Sequence, residues 1–352
     1  MATRAALSQP AGSSLDRIRF SGPLALTSKG ASGSIASAMD GCSNPLRQGP
    51  THILVNPAAG GNKSGRLLQQ VKEFAEAVAL PAFFHVPETA GEMETLAAKL
   101  VASGAKALLA MGGDGTVQTL VNVAEARRVA IGVLPAGGGN DFARAFGLPS
   151  HPVEALRAML GGSLRRVDLA RARTADGRER WYCGGGGLGL DAEAVRHASE
   201  RYARRRGKSR YVLSALRALR TFPAVRVTAE IAGSQAQVEK KVLVAAVLNT
   251  PSYGAGLRLA EKARPDDGRL DLVFLEELGP GEVARIIFDW MWRGTLSSRR
   301  ISTLAVTRVK LTAERPCLFH GDGELFGPAP VEVAVMPGAI AVLAPGGTDL
   351  AP

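Results

Sequence analysis

A glycine-rich turn at residues 112–116 places the strongest constraint on how this chain can fold. The turn reads Gly-Gly-Asp-Gly-Thr, follows the apolar run Ala107–Ala110, and precedes a stretch at 117–124 that is predicted to be helical. A strand, a glycine turn and a helix in this order direct backbone N–H groups and a helix N-terminus at phosphate oxygens. Glycine permits this close approach because it has no Cβ. The turn therefore indicates a phosphate site.

Asp114 is the unusual residue of this turn. A carboxylate beside phosphate groups is repulsive unless a divalent cation or a proton lies between them. Its presence favours phosphoryl chemistry over passive binding. The simpler interpretation is a tight strand-to-helix connection with Asp114 and Thr116 as capping residues, and the turn alone does not decide between the two.

Composition narrows the class of protein. The chain has 352 residues with 46% apolar content, which is enough for two domains. No apolar run approaches the roughly 18–20 residues of a transmembrane helix, so we expect a soluble protein, attached at most to a membrane surface. Cys42, Cys183 and Cys317 lack metal-ligand spacing, which fits the reducing cytoplasm.

The net charge of +11 predicts an anionic partner. Aromatic residues make up only 5% of the chain and do not alternate with basic residues, so nucleic acid is not expected. A nucleotide phosphate or an anionic membrane surface is favoured instead.

Strands and helices alternate between residues 50 and 165. Residues 1–49 are rich in Ser, Gly and Ala and are predicted to be a disordered or extension segment. Strands are then predicted at 51–55, 82–86, 105–111 and 129–134, with helices at 67–78, 92–103, 117–124 and 153–160. This alternation predicts a doubly wound parallel α/β sheet, in which ligands bind beyond the carboxyl ends of the strands. Loops at 56–60, 112–116 and 137–141 all follow strands and should line one rim.

Residues 166–346 change to short apolar segments separated by glycine turns. Strands are predicted at 180–183, 225–231, 238–249, 270–275, 302–312, 331–335 and 339–343, with helices at about 191–220 and 280–293. The pattern predicts a second domain, a C-terminal antiparallel β-sandwich, with the active site in the cleft between the domains and a tail at 347–352.

Five motifs together resemble the diacylglycerol kinase catalytic-domain family. They are Asn56-Pro57-x-x-Gly60, Gly112-Gly113-Asp114-Gly115-Thr116, Gly137-x-x-Asn140-Asp141-Phe142-Ala143-Arg144, Asp267-Gly268-x-Leu270-Asp271 and Asp322-Gly323-Glu324. The likeness is to the bacterial soluble lipid kinase branch, which is related to sphingosine and ceramide kinases. The shorter Gly-Gly-Asp-Gly signature is shared with NAD kinases and phosphofructokinases, and the stretch at 137–144 favours lipid kinases.

The resemblance implies ATP and Mg²⁺ as cofactors and assigns residues to them. The implied nucleotide contacts are Asn56, Pro57, Ala58, Ala59, Gly60, Thr89, Gly112, Gly113, Asp114, Gly115, Thr116, Val117, Gln118, Gly137, Gly138, Asn140 and Asp141. Asp114 would act close to the phosphates and their Mg²⁺. Asp267, with the backbone carbonyls of Arg264 and Arg269, matches a structural metal position.

The turn Asp322-Gly323-Glu324 matches the family's catalytic turn, where a carboxylate takes the proton from the lipid hydroxyl. Asp322 and Glu324 are both candidates for this base. A plain hairpin turn is the alternative interpretation of the turn alone. His320 would share a strand face with Asp322, where a packed or hydrogen-bonded histidine is expected.

Three positions depart from the family pattern. Gly138 replaces the usual Thr, Gly184 replaces Asn, and Ala255 replaces a Gly. The acidic residues remain, so we expect an active kinase with a modified nucleotide or lipid pocket. An impaired enzyme is the alternative.

The sequence thus predicts an ATP-dependent kinase for a lipid hydroxyl, with diacylglycerol first and a sphingoid base or ceramide next. The alternatives are a catalytically weak nucleotide- and membrane-binding relative and an NAD kinase. The stretch 196–220 holds nine Lys or Arg residues beside an apolar side, which fits peripheral docking on anionic membrane from the cytoplasm. A packed, solvated helix is the competing interpretation. Phe288 and Trp290–Trp292 are a candidate second apolar patch, which either faces lipid or belongs to the core, and homodimerisation is left open.

Overall fold

The computed structural model describes residues 44–59, 64–123, 126–200, 222–233, 237–254, 256–279, 281–282, 285 and 299–346. Predictions for Gly60, Ala255, most of the basic stretch, the patch at 288–292 and the two ends of the chain lie outside these residues. Within them, no helix combines the length and the apolar character that crossing a bilayer requires.

Four parallel strands form the first half of the fold. These are β1 (Thr51–Val55), β2 (Ala82–His85), β3 (Ala107–Gly112) and β4 (Ala130–Pro135), in the spatial order β2-β1-β3-β4. Every residue of β3 and β4 is buried, as is typical of parallel strands covered on both faces. The predicted parallel α/β region is confirmed.

Five helices accompany these strands. They are α1 (Ser64–Ala77), α2 (Ala90–Ala102), α3 (Asp114–Val121), α4 (Asp141–Ala145) and α5 (Pro152–Leu160). Helix α1 packs against α5, and α2 packs against α3. Because α3 and α4 follow β3 and β4 directly, their N-termini lie at the carboxyl ends of the sheet strands.

The second half is antiparallel, as predicted. Its strands are β5 (Ser163–Arg173), β6 (Glu179–Tyr182), β7 (Gly185–Gly189), β8 (Val225–Ile231), β9 (Gln237–Leu248), β10 (Ser252–Tyr253), β11 (Leu257–Arg258), β12 (Leu270–Glu276), β13 (Ile301–Val306), β14 (Arg308–Ala313), β15 (Leu318–Gly321), β16 (Glu324–Pro328) and β17 (Val331–Ala344), with helix α6 (Leu190–Glu200) after β7.

Strand β17 connects the two halves. It pairs antiparallel with β5 and β14 and parallel with β4, where Ala341 lies opposite Ala130. The hydrogen-bonded order runs β16-β15-β7-β9-β8-β14-β17-β4-β3-β1-β2. One continuous sheet therefore contains both the parallel strands and the β15–β16 hairpin.

Several strand boundaries differ from the predictions. The segment 302–312 forms two strands, β13 and β14, because β13 pairs with β12 whereas β14 pairs with β8 and β17. Segments 331–335 and 339–343 form one strand, β17, with a register shift between Met336 and Ile340. Strand β7, which reads Gly-Gly-Gly-Leu-Gly, was not predicted, since glycine is depleted in strands.

Residues 44–49, assigned to the extension from sequence, are packed onto the α/β region. Leu46 is 1% exposed, and the side-chain amide of Asn44 donates to the carbonyl oxygen of Met159 at 2.6 Å. The ordered part of the chain therefore includes this segment.

Candidate active site

The three predicted nucleotide loops contact one another at the carboxyl ends of β1, β3 and β4. Asn56 Nδ2 donates to Thr116 Oγ1 at 3.0 Å, which joins the first loop to the second. The backbone N–H of Ala136 donates to the carbonyl of Gly112 at 2.8 Å, which joins the third. The predicted convergence of these loops is thus confirmed.

Two glycines allow the second and third loops to touch. A Cβ on Gly137 would lie 2.5 Å from Gly113 Cα, and a Cβ on Gly113 would lie 3.2 Å from Gly137 Cα. Asn140 adopts a left-handed conformation with φ of 56° and closes the third loop, because its Oδ1 accepts the N–H of Gly137 at 3.0 Å. Gly113 precedes α3 without a side-chain cap. The first turn of α3 therefore presents its backbone to the loops, as phosphate binding requires.

Asp114 begins α3 and points toward the start of α4. Its Oδ1 accepts the backbone N–H of Phe142 at 3.0 Å. The pKa of Asp114 is raised to about 6, mainly by burial and then by the charges of Asp141 and, more weakly, Asp322, while hydrogen bonds from the backbone oppose the rise. Uncompensated negative charge at this position fits a divalent cation held between Asp114 and nucleotide phosphates.

Asp141 is buried and forms an ion pair with Arg144. Its carboxylate accepts Arg144 Nη1, and Arg144 Nη2 donates to the carbonyl of Gly139 at 2.8 Å. The pair fixes the third loop to the first turn of α4. A Cβ on Gly256, in the second half of the chain, would lie 3.3 Å from Arg144 Nη1.

Asp322 lies at the turn between β15 and β16 in a left-handed conformation, with φ of 47°. Its Oδ1 accepts the backbone N–H groups of Gly184 at 2.9 Å and Gly185 at 3.1 Å. Its Oδ2 accepts the backbone N–H of Cys183 at 2.8 Å and lies 3.4 Å from the donating thiol. Burial raises the pKa of Asp322, and these hydrogen bonds oppose the rise. Both oxygens are therefore engaged by the protein.

The segment 184–187 provides room for the acidic side chains around it. A Cβ on Gly184 would lie 3.0 Å from Asp322 Oδ1, and one on Gly187 would overlap Asp191 Oδ2. A Cβ on Gly185 would lie 2.9 Å from Tyr253 Cδ2. The departure at Gly184 therefore coincides with close packing of Asp322 on the backbone.

Glu324 begins β16 and is exposed, in contrast to Asp322. Its Oε1 lies 4.0 Å from the position that a Cβ on Gly115 would take, so the carboxylate faces the nucleotide loop. Desolvation is the largest cause that raises the pKa of Glu324; Arg180 lowers it, and Asp322 and Glu94 raise it further. Among the described residues no donor is hydrogen-bonded to the Glu324 carboxylate, so this is the acidic side chain of the turn that can meet a ligand.

Sequence reasoning missed a hydrogen-bonded cluster on the other side of segment 184–187. Tyr253 Oη donates to Asp191 Oδ2 at 2.7 Å and lies 2.6 Å from His320 Nε2. His320 is 4% exposed, so the prediction of a packed, hydrogen-bonded histidine is confirmed. Its position two residues before Asp322 was the available signal, whereas no local pattern indicates Asp191 or Tyr253.

The other predicted nucleotide contacts differ in exposure and in hydrogen bonding. The hydroxyl of Thr89 accepts the N–H of Glu92 at 3.2 Å and caps α2. Gln118 is 1% exposed, and its Nε2 donates to the carbonyl of Gly321 at 3.1 Å. The remaining residues are exposed at Pro57, Ala58 and Gly138, partly exposed at Ala59, and buried at Val117.

The predicted structural metal position lies in the turn before β12. Asp267 is exposed, and its Oδ1 accepts the N–H of Arg269 at 3.0 Å. The neighbouring Asp168 is buried and accepts the N–H groups of Gly268 at 2.7 Å and Gly338 at 2.8 Å. Burial is the main cause that raises the pKa of Asp168, and Asp267 adds to it. The excess negative charge is compatible with a cation, and the assignment remains a prediction.

In the described part of the chain, no three His, Cys, Asp or Glu side chains are grouped as a metal site would need. The predicted position uses one carboxylate and the carbonyls of Arg264 and Arg269, so this finding leaves it untested.

Comparisons with known proteins identify the family. Residues 50–172 match the diacylglycerol kinase catalytic domain, and residues 187–344 match the YegS C-terminal NAD kinase beta sandwich-like domain. A diacylglycerol kinase of Mycobacterium tuberculosis is 30% identical over 253 residues, which cover 71% of this chain and 80% of that protein. The chain therefore belongs to the diacylglycerol kinase family of lipid kinases.

Two further comparisons agree. A Stenotrophomonas maltophilia protein described as "Probable lipid kinase YegS-like" is 27% identical over 271 residues, covering 74% of this chain and 85% of its own. A diacylglycerol kinase structure from Bacillus anthracis superposes with a TM-score of 0.64 at 19% identity, covering 84% of this chain and 96% of that one. The latter likeness establishes a shared fold.

Proposed function

We propose that this protein is an ATP-dependent lipid kinase that transfers the γ-phosphate of ATP to a hydroxyl of a lipid alcohol. The observation that carries the proposal is the placement of Glu324, whose carboxylate lies 4.0 Å from the Cβ position of Gly115 in the nucleotide loop. A base for the acceptor hydroxyl thus lies next to backbone suited to ATP phosphates.

The two acidic residues of the turn have different roles in this proposal. Glu324 accepts the proton of the lipid hydroxyl while that oxygen forms a bond to the γ-phosphorus; the bond from this phosphorus to the bridging oxygen breaks, and ADP leaves. Asp322 touches backbone N–H groups on both oxygens and orients the turn. This division supports Glu324 over Asp322 as the base.

The α/β region supplies the nucleotide side. The loops at Asn56, Gly113 and Gly137 would hold the phosphates, and Asp114 would hold Mg²⁺, which when bound offsets phosphate charge. The raised pKa of Asp114 supports a cation at this point, because a positive charge would relieve the repulsion from Asp141 and Asp322.

Diacylglycerol is the first candidate acceptor, because the M. tuberculosis relative carries that name. A sphingoid base or ceramide remains a candidate, since each presents a primary hydroxyl. The basic stretch at 196–220 supports cytoplasmic action at an anionic membrane surface. The proposal is compatible with a monomer or a homodimer.

The test is transfer of labelled phosphate from ATP to a mixed lipid extract with Mg²⁺ or Mn²⁺, followed by mass spectrometry of the products. Glu324→Gln should reduce labelling at least about 100-fold, whereas Arg178→Gln, an exposed change on the β5–β6 connection, should leave it intact. Absence of any labelled lipid with the wild-type protein would reject the proposal. Labelling of NAD in lipid-free buffer would support the NAD kinase alternative, and nucleotide binding without transfer would support the catalytically weak one.

A further inference from the structure

Helix α3 carries the nucleotide loop at one end and contacts the catalytic hairpin further along. The side chain of Gln118, one turn after Asp114, crosses to the second half of the fold and donates to the carbonyl of Gly321 at 3.1 Å. Gly321 is the residue before Asp322 and ends β15. The accepting carbonyl belongs to the peptide that joins Gly321 to Asp322, so the buried amide of Gln118 is bonded directly to the start of this turn.

Asn122 makes a second attachment at the end of the same helix. Its Nδ2 donates to the carbonyl of Trp181 at 2.8 Å, and its Oδ1 accepts the N–H of Trp181 at 2.9 Å. The guanidinium of Arg127 lies 4.2 Å from the centroid of the Trp181 ring. This reciprocal pair fixes α3 to β6, which leads directly to the Asp322 donors Cys183 and Gly184.

Within the described residues, the side-chain amide of Gln118 is hydrogen-bonded through its NH₂ group and not through its oxygen. Gln118 Oε1 is buried and, among the described residues, has no hydrogen-bond partner. The orientation of this amide is thus fixed by the Gly321 carbonyl and by packing.

We propose that Gln118 is a positioning residue that sets the Asp322–Glu324 turn against the nucleotide loop, with Asn122 anchoring the same helix to β6. This inference rests on the proposed kinase function. It gives Gln118 a different role from the ATP contact that the family resemblance implies, because its side chain faces the hairpin.

The test uses three variants of the full chain. Gln118→Met keeps the length and removes the donor. Gln118→Glu can donate to the Gly321 carbonyl only when protonated. Thr119→Val is the matched control, because the Thr119 hydroxyl bonds within α3, to the carbonyl of Gly115 at 3.0 Å, and does not reach the hairpin.

We expect Gln118→Met to lower kcat about tenfold or more while the KM for ATP stays within about twofold, since positioning acts on the transition state. Gln118→Glu should recover kcat relative to wild type as the pH is lowered, a response that a purely structural loss would not show. Thr119→Val should behave as wild type. Unchanged kcat in Gln118→Met, or a pH-independent loss in Gln118→Glu, would overturn the proposal.

A readout without catalysis separates this inference from the proposed function. Amide hydrogen exchange of residues 319–326 should speed up in Gln118→Met relative to Thr119→Val, even if no lipid is phosphorylated. Equal exchange in the two variants would reject the positioning role. Faster exchange together with an inactive wild-type protein would reject only the kinase proposal.

Discussion

The backbone N–H of Gly184 donates to Asp322 Oδ1 at 2.9 Å, and a Cβ on Gly184 would approach that same oxygen to 3.0 Å. The donor and the space for the acceptor therefore come from one residue. A carbon atom this close would require the carboxylate to shift by a few tenths of an ångström.

Gly184→Ala should consequently disturb the turn. We expect a fall in the melting temperature and a lower lipid kinase activity, because a shift of Asp322 strains its hydrogen bonds with the backbone, and a buried N–H that loses its acceptor costs about 1–3 kcal/mol. Gly65→Ala, in α1, is the control, since nothing lies within 4 Å of its Cβ position. Calorimetry and the transfer assay on both variants decide the matter. Wild-type stability in Gly184→Ala would show that the carboxylate can shift freely.

Conservative substitutions of Asp322 and Glu324 should have different effects on stability. Glu324→Gln removes an exposed base, so we expect turnover to fall about 10²- to 10⁴-fold with stability within about 0.5 kcal/mol of wild type. Asp322→Asn has one acceptor oxygen where two are needed, so it should lose stability as well as turnover. Denaturant unfolding and kcat measure both effects. A stable, inactive Asp322→Asn would instead favour Asp322 as the base.

Asp114 should lower stability at neutral pH. Its pKa is raised from 3.8 to about 6, so the folded protein binds a proton more tightly than the unfolded chain, and stability falls as the pH rises through this range. Asp114→Asn should therefore be more stable than wild type at pH 7, by up to about 3 kcal/mol at about 1.4 kcal/mol per pH unit, and should lose turnover.

The gain in Asp114→Asn should shrink as the pH falls below 6 and disappear below about pH 3, where the wild-type carboxyl is protonated in both states. Asp176→Asn is a control of opposite sign, because a hydrogen bond from Thr174 lowers the pKa of Asp176. Thermal melts at the two pH values suffice. A stability difference in Asp114→Asn that is equal at both would show that ionisation is not its cause.

Arg180 should set the acid limb of the activity profile. It lowers the pKa of Glu324, so Arg180→Gln should raise that pKa and move the acid limb of kcat to higher pH. Arg178→Gln serves as the control, because Arg178 is paired with Asp176 at 3.0 Å. Profiles of kcat against pH for the two variants test this. If the acid limb stays in place in Arg180→Gln, Glu324 is not the group whose ionisation limits kcat at low pH.

Sequence periodicity sufficed for elements whose side chains carry the pattern. The predicted strands at 51–55 and 225–231 have the bounds of β1 and β8, because β-branched residues there recur on buried positions. The convergence of three loops followed from parallel strands alone. Conversely, β7 has almost no side chains to show a period, and its strand conformation depends on pairing with β9 and β15.

The different surroundings of Asp322 and Glu324 could not be predicted either. Asp322 and Glu324 are two residues apart and chemically similar, and only tertiary contacts distinguish them. The donors to Asp322 come from residues 183–185, more than 130 positions earlier. Likewise, the direction of the Gln118 amide depends on Gly321, 203 positions away. The residues next to Asp322 or Gln118 in the sequence do not predict contacts with such distant partners.

The parallel pairing of β17 with β4 has a consequence for the order in which the protein can be made. Strand β4 has β3 on one side, and its other neighbour is β17, near the end of the described chain. During synthesis this edge of β4 therefore lacks its partner strand until β17 leaves the ribosome. An exposed strand edge invites pairing with other chains. A nascent chain that stalls before residue 331 would be the form of this protein most prone to aggregate.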